Sequence, residues 1–296
     1  MKKNIKSTLV AIGTAALSVA ALAADRIELN GAGGSFPAPL YQKWCYAYTQ
    51  SEQGAKVNYQ SVGSSAGISQ IKSGTIDFAG TDAPLSAEDC EKAGLVQFHM
   101  VSGAVVPAVN LPGVANGALV LDGETLADIY LGKITRWNDA RLAKLNPTLT
   151  LPNLKITVVH RGDGSGTTHI FTTYLSSVST EWKDRYGAAT QLKWPCGIAG
   201  QKNPGVCNNV RRIKGAIGYT EYTFALESKL SVARLAVNGR TTEPSADEWP
   251  ILGKTYILVR KDTPPARRAA LQAYFDWCFA KGGDTAKRLF YIPVTR

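Results

Sequence analysis

A chain of 296 residues, 45% hydrophobic and 19% charged, can bury a sizeable core, and its ordinary Gly and Pro contents exclude the disordered and fibrous classes. The length allows one to two domains. The formal net charge of +10 is scattered, with "RRIK" (Arg211 to Lys214) and Arg267–Arg268 as the clusters, and no basic stripe with interleaved aromatics points to nucleic acid.

The first elements are read in chain order. Residues 1–23 have the form of a signal peptide: a basic "MKKNIK", a short apolar "STLVAIGTAALSVA" and a small-residue "ALA" ending at Ala23. That predicts an exported, periplasmic protein whose mature net charge is +7, since Lys2, Lys3 and Lys6 leave with the leader. No later segment is long and apolar enough to span a bilayer. "RIELN" reads as a strand, "GAGGSFPAP" as a loop and "LYQKWCYAYTQ" as a helix. "KVNYQSV" is a strand, "GSSAG" a turn and "ISQIKSG" a short helix. "IDFAG" is a strand, "TDAP" a turn and "SAEDCEKAG" a helix, with Ser86 and Asp89 at the capping-box spacing.

The pattern continues to the end of the chain. "FHMVSGAVVPAVN" is a long extended run, and its part from Ser102 to Asn110 is a candidate crossing between lobes. "GETLADIYLGK" and "NDARLAKLN" are helical, "KITVVH" is a strand, and "TTHIFTTYLSSV" is a helix. "GAIGYTEY" and "KTYILVR" are strands, and "PARRAALQAYFDWCFAKGG" is the last long helix. The aromatics of "YQKWCYAY" and "AYFDWCF" recur at helical spacing and read as core. Short strands alternating with helices predict an α/β fold with largely parallel sheets, and the number of elements suggests two lobes.

Three turns share one composition. "GAGGSFPAP" (Gly31 to Pro39), "VGSSAG" (Val62 to Gly67) and "GDGSGTT" (Gly162 to Thr168) each follow a strand and open a helix. A helix N-terminus offers free N–H groups and partial positive charge, glycine permits close backbone approach, and hydroxyls add donors. Together they make an anion site. Arg161 adds a planar fork that matches two oxyanion oxygens, and Asp163 stands close enough in sequence to orient it. Asp82, in the turn "GTDAP", is the odd member, because an ionised carboxylate only accepts hydrogen bonds and repels an anion that brings no proton.

Other motifs carry less. "GAGGSF" has Phe36 where G-x-G-x-x-G needs its last glycine, and no P-loop pattern occurs. "GSSAG" matches G-x-S-x-G, so a secreted serine hydrolase using Ser65, with His160 and Asp163 available, is the alternative reading. Among five cysteines, Cys196 and Cys207 flank "GIAGQKNPGV", read as a Gly/Pro-rich loop, and are the best disulfide candidates in an oxidising compartment. The odd count leaves at least one thiol unpaired in a monomer. No metal-ligand spacing is present, and no cofactor or metal is expected.

The ordered motifs "GAGGSFPAPLYQKW", "VNYQSVGSSAGISQI", "DFAGTDAPLS", "VLDGETLADIYLGKITRWNDARLAKLNP", "RGDGSGTTHIFTTYL" and "GAIGYTEY" resemble the PstS-type phosphate-binding proteins. These are the extracytoplasmic component of the bacterial high-affinity phosphate ABC transporter. The likeness runs from about Asn30 to Tyr222 and resumes from "WPILGKTYILVRKD" through "FDWCFAKGG". It implies a two-lobe periplasmic-binding-protein fold with the ligand in the cleft between lobes. Lobe 1 would comprise 24–105 with 252–296 and lobe 2 would comprise 106–251, with a second crossing near Trp249 to Thr255.

The resemblance also assigns roles. Ser35, through its hydroxyl, and Phe36, through its N–H, would hold phosphate in the first turn, and Ser64 in the second. Asp82 would accept the proton of hydrogenphosphate. Arg161 would grip phosphate oxygens, Asp163 would buttress it, and Ser165, Gly166 and Thr167 would close the site. The implied protein is a non-enzymatic monomer that binds inorganic phosphate and delivers it to an inner-membrane ABC permease complex. The segment "LAVNGRTTEPSADEWP" is shorter than the family's usual stretch, and the five cysteines are not accounted for by the likeness.

Overall fold

The computed structural model describes residues 26–51, 55–244 and 248–294. The signal-peptide reading of residues 1–23 lies outside the described residues. In chain order the elements are β1 (Glu28–Gly33), α1 (Ala38–Gln50), β2 (Lys56–Ser61), α2 (Ser64–Lys72), β3 (Phe78–Thr81), α3 (Ala87–Lys92) and β4 (Leu95–Val109). Then come β5 (Val120–Asp122), α4 (Gly123–Tyr130), α5 (Ala140–Leu145), β6 (Thr157–Arg161), α6 (Gly166–Val178), α7 (Thr180–Arg185), β7 (Ile198–Gly200) and α8 (Lys202–Arg212). The remainder is β8 (Ala216–Glu221), α9 (Tyr222–Glu227), β9 (Ser231–Val232), β10 (Arg234–Val237), β11 (Arg240–Thr242), β12 (Leu252–Arg260), α10 (Pro265–Lys281), α11 (Gly283–Arg288) and β13 (Ile292–Pro293). None of these helices is long and apolar enough to cross a membrane.

The main sheet runs in the order β2-β1-β3-β12-β4-β8-β6-β7. Its two ends are parallel: β1 pairs with β2 and β3, and β6 pairs with β7 and β8. Its middle is not. β12 runs antiparallel to both β3 and β4, and β4 runs antiparallel to β8. The expectation of largely parallel sheets therefore needs correction to a mixed sheet. The cause is β4, a 15-residue strand that changes partner along its length. Leu95 to Ala104 pair with β12, and Val105 to Val109 pair with β8.

The switch is pinned by a neighbouring segment. Val105 N–H donates to the Ile251 carbonyl at 2.9 Å, and the fully buried Trp249 donates its indole N–H to the Val105 carbonyl at 2.8 Å. The two segments named as candidate crossings, Ser102–Asn110 and Trp249–Thr255, meet at this place. The buried tryptophan has its polar edge satisfied there, as a buried indole requires.

The helices follow from local chemistry. Asp122 caps α4 in a reciprocal box with Thr125, Ser86 accepts from Asp89 N–H at α3, and Ser165 accepts from Thr168 N–H at α6. The helical aromatics are core as read: Tyr41, Trp44, Tyr48, Tyr274 and Phe275 are buried together, each removing on the order of 150–250 Å² from water.

The proposed Cys196–Cys207 bridge is not formed, and all five cysteines are free. The stretch between them is β7 and the N-terminus of α8 rather than a loop. Cys207 lies fully buried on α8 with its thiol donating to the Thr220 hydroxyl at 3.5 Å, whereas Cys196 lies with its sulfur 3.6 Å from the Tyr130 carbonyl. Burial raises the pKa of both thiols, which keeps them protonated.

Candidate functional site

In open parallel sheets, ligand sites form beyond the carboxyl ends of the strands. The turns after β1, β2, β3, β6 and β7 all occupy that position here, and they meet. The first turn is tied down when Gly34 N–H donates to the Gly80 carbonyl at 2.9 Å and the Tyr59 hydroxyl donates to the Gly34 carbonyl at 2.9 Å. Gly33, with φ +147°, lies so close to β3 that a Cβ would fall 2.1 Å from the Gly80 oxygen. Only glycine permits that approach.

Ser64 is the first residue of α2, so the helix starts earlier than the sequence reading placed it. Its buried hydroxyl receives the Gly166 N–H at 3.1 Å and the Asp82 N–H at 3.4 Å, and donates to Asp82 Oδ2 at 3.4 Å. Ser65 N–H donates to the Gly164 carbonyl at 3.3 Å. The second turn, the Asp82 turn and the Arg161 turn are therefore in direct contact. The first turn meets them at Gly34, where a Cβ would fall 3.0 Å from Asp82 Oδ2 and 3.1 Å from Ser64 Oγ, and Ser35 and Phe36 next to it are fully buried. The Phe36 ring packs edge-on against Tyr291, whose hydroxyl donates to the Phe36 carbonyl at 2.7 Å.

Arg161 ends β6 with its guanidinium buried. Nε donates to Asp163 Oδ1 at 2.8 Å and Nη2 to Oδ2 at 2.5 Å, a bidentate fork, while Nη1 reaches Thr167 Oγ1 at 3.4 Å. Lys202 N–H adds a third bond to Asp163 Oδ1 at 3.0 Å. Burial alone would push the Asp163 carboxyl up, but the bonds and charge of Arg161 and the Lys202 N–H outweigh it and hold the group below its ordinary value. The pair expected from the sequence is formed.

Asp82 is the opposite case. It is 2% exposed, and burial pushes its carboxyl up to about 7. The Thr255 hydroxyl, the Arg161 charge and the Ser64 hydroxyl favour its ionised form but do not offset the desolvation. The nearby Thr255 hydroxyl donates to the Thr81 carbonyl at 3.4 Å, and Asp82 Oδ1 is buried with no hydrogen-bond partner in the protein. An unsatisfied buried carboxylate oxygen is costly, so one left among donors calls for a partner that brings a proton.

The structure thus brings together Ser35, Phe36, Ser64, Asp82, Arg161, Ser165, Gly166 and Thr167, with Asp163 behind Arg161. One residue escaped the sequence reading. Asn203, fully buried at the start of α8, donates its N–H to Ser35 Oγ at 3.2 Å and its carboxamide to Thr167 Oγ1 at 3.4 Å. The signal was a fourth strand–turn–helix, "IAGQKN", hidden by treating the stretch as a loop between cysteines.

The hydrolase constellation is not assembled. His160 sets Nδ1 against the Arg161 carbonyl at 3.1 Å and stacks on Trp194 with ring centroids 4.9 Å apart. Asp163 gives both oxygens to Arg161 and Lys202, so neither group serves Ser65, which lies exposed at the second residue of α2. Among the described residues, no group of three or more His, Cys, Asp or Glu gathers where it could hold a metal ion.

An α/β binding fold with an oxyanion-donor site between its strand ends defines a class, and comparison with known proteins agrees. The family described as a PBP superfamily domain matches residues 18–281. The phosphate-binding protein PstS of Xylella fastidiosa (strain Temecula1) is 43% identical over 298 residues, covering 90% of this chain and 82% of the relative. Among solved structures, an ABC-type phosphate transport receptor from Vibrio cholerae has a TM-score of 0.61 at 22% identity, covering 90% of this chain and 100% of the other. A high-affinity periplasmic phosphate-binding protein, PfluDING, solved with phosphate bound, has a TM-score of 0.71 at 19% identity, covering 91% of each chain. The chain belongs to the PBP superfamily and, within it, to the family of PstS phosphate-binding proteins.

Proposed function

We propose that this protein captures inorganic phosphate outside the cytoplasmic membrane and passes it to an ABC permease, without catalysing a reaction. The observation that carries the reading is Asp82 Oδ1, a buried acceptor without a partner set among N–H, hydroxyl and guanidinium donors. Phosphate near neutrality has oxygens for the donors and a proton for Asp82. Sulfate has the oxygens but no proton, and would leave an ionised Asp82 facing an anion unpaired, a penalty of several kcal/mol.

The change of partner along β4 supports a division into one lobe of 24–105 with 252–296 and another of 106–251. In that division Ser35, Phe36, Ser64 and Asp82 come from one lobe, and Arg161, Asp163, Ser165, Gly166 and Thr167 from the other. The ligand would then bridge the two, and the Gly166–Ser64 and Ser65–Gly164 bonds would belong to the closed form.

Isothermal titration calorimetry of the mature chain with phosphate and sulfate, in the wild type and in Asp82→Asn, tests the reading. Phosphate should bind the wild type far more tightly than sulfate, and Asp82→Asn should shrink that ratio. Equal affinity of the wild type for the two anions at pH 8 would remove the role given to Asp82, and no affinity for phosphate would remove the function.

A further inference from the structure

Asn203 has no solvent exposure, and each of its polar side-chain groups is engaged. Its carboxamide oxygen accepts from the Thr220 hydroxyl at 3.2 Å, and its carboxamide nitrogen donates to Thr167 Oγ1 at 3.4 Å. Thr220 Oγ1 in turn accepts from the Cys207 thiol at 3.5 Å. Donation runs the same way at every link, from Cys207 through Thr220 and Asn203 to Thr167.

A hydroxyl has one proton and two lone pairs. Thr220 receives from the thiol and donates its own proton to the Asn203 oxygen, so the carboxamide is held with its nitrogen toward Thr167. Thr167 Oγ1 then accepts from Asn203 and from Arg161 Nη1, which engages both lone pairs and leaves its proton to be donated elsewhere. Ser35 Oγ likewise accepts from the Asn203 N–H. The backbone is bent to make this possible. Lys202 has φ +57°, a left-handed conformation uncommon for a long side chain, and its N–H and the next one serve Asp163 and Ser35 respectively.

We propose that Asn203 is a positioning residue that sets the polarity of the site, holding the Thr167 hydroxyl as a donor toward a bound oxyanion while its N–H fixes the place of the Ser35 hydroxyl. The inference rests on reading this site as a phosphate site, and it adds a selectivity device to it. Hydroxyls that could turn either way would suit a neutral or mixed ligand, whereas hydroxyls locked as donors suit an anion.

The test is titration of inorganic phosphate into the mature wild type, Asn203→Asp and Thr220→Val between pH 5 and 8.5. Asn203→Asp replaces the donating nitrogen with a carboxylate oxygen that accepts from Thr167, so its hydroxyl turns away from the ligand. Phosphate should bind about 100-fold or more weakly at pH 8. The gap to the wild type should narrow on acidification, as the new carboxyl takes up a proton and becomes a donor. Thr220→Val frees the carboxamide to rotate and should weaken binding about 5- to 10-fold. The added carboxylate also repels an anion until it is protonated, whatever the hydroxyl does, so Thr220→Val, which adds no charge, separates polarity from packing: wild-type affinity there, or folded Asn203→Asp binding within about twofold of the wild type, overturns the proposal. If Asn203→Asp does not fold, Thr220→Val decides, and wild-type affinity there overturns it. A wild type that binds no phosphate overturns the functional reading and this inference with it, whereas a binding wild type with unaffected variants overturns the inference alone.

Discussion

Gly166 sits directly against Asp82: a Cβ added to the glycine would fall 2.5 Å from both the Cβ and Oδ2 of the aspartate. The two residues come from turns after different strands, β3 and β6, about 80 residues apart in the chain. In the proposed division into lobes, their contact belongs to the closed form. A methyl group at position 166 would therefore oppose closure without disturbing either α6 or the strands. Gly166→Ala should weaken phosphate binding about 5- to 150-fold, the equivalent of about 1–3 kcal/mol of overpacking. The melting temperature in phosphate-free buffer should change little, and calorimetry with differential scanning separates the two effects.

The sulfate affinity of the wild type should depend on pH. With its carboxyl pushed up to about 7, Asp82 becomes protonated on mild acidification and can then donate to a sulfate oxygen instead of repelling it. Binding of sulfate is thereby linked to uptake of one proton. Its Kd should tighten as pH falls toward about 7, by up to ~tenfold per pH unit, and level off below that, while Asp82→Asn shows no such slope. Titrations with sulfate from pH 8 to 5 read this directly, and a flat profile in the wild type would count against a protonated Asp82.

The stability of the ligand-free protein should fall as pH rises. Burial pushes Asp82 from an ordinary 3.8 up to about 7, and Glu221, buried at the start of α9, from 4.5 up to about 8. A raised folded pKa means that the folded state holds more protons than the unfolded chain. The stabilising contribution is complete below about pH 4 and is lost progressively as pH climbs through 7 to 8. For Asp82 it amounts to at most on the order of 4 kcal/mol. Chemical denaturation at pH 5 and pH 8.5 should show the decline, and Asp82→Asn should flatten the part of it that lies below about pH 7.

Removing the charge behind Arg161 should cost affinity without removing a ligand contact. In Asp163→Asn the bidentate fork loses its ionic partner, and the guanidinium is no longer held in one orientation. Phosphate affinity should drop about 10-fold or more, with the preference for phosphate over sulfate retained because Asp82 is untouched. Arg161→Lys should do worse, since a lysine has no planar fork to offer.

The thiols give a chemical test of the corrected cysteine assignment. Alkylation of the unreduced, denatured protein should modify all five cysteines, and in the native protein the half-exposed Cys196 should react before the buried Cys207. Mass spectrometry reads both outcomes.

Much of the site was legible because its chemistry is local. A glycine-rich turn between a strand and a helix presents N–H groups wherever it occurs, and Arg161 and Asp163 are two residues apart, so their fork required no long-range information. Asp82 stood out as an acid among donors for the same reason. Asn203 was not legible, because nothing in "GQKNPG" reveals that its neighbours in space are Ser35, Thr167 and Thr220, as many as 168 residues distant. The disulfide reading failed on similar grounds: a short spacing between Cys196 and Cys207 says nothing about the strand and helix that carry them apart.

The sequence by itself determined the alternation of strands and helices, the oxyanion-donor character of three turns and the Arg161–Asp163 pair, since these depend on side-chain type and near neighbours. Tertiary structure alone decided that β4 changes partners at Val105, that the middle of the sheet is antiparallel, and that the turns converge with Asp82 Oδ1 buried and unpartnered. Those features arise from which surfaces exclude water together, and burial is a property of the whole packed chain. It is burial that moves Asp82 to about 7 and turns an ordinary turn aspartate into a group able to test a ligand for a proton.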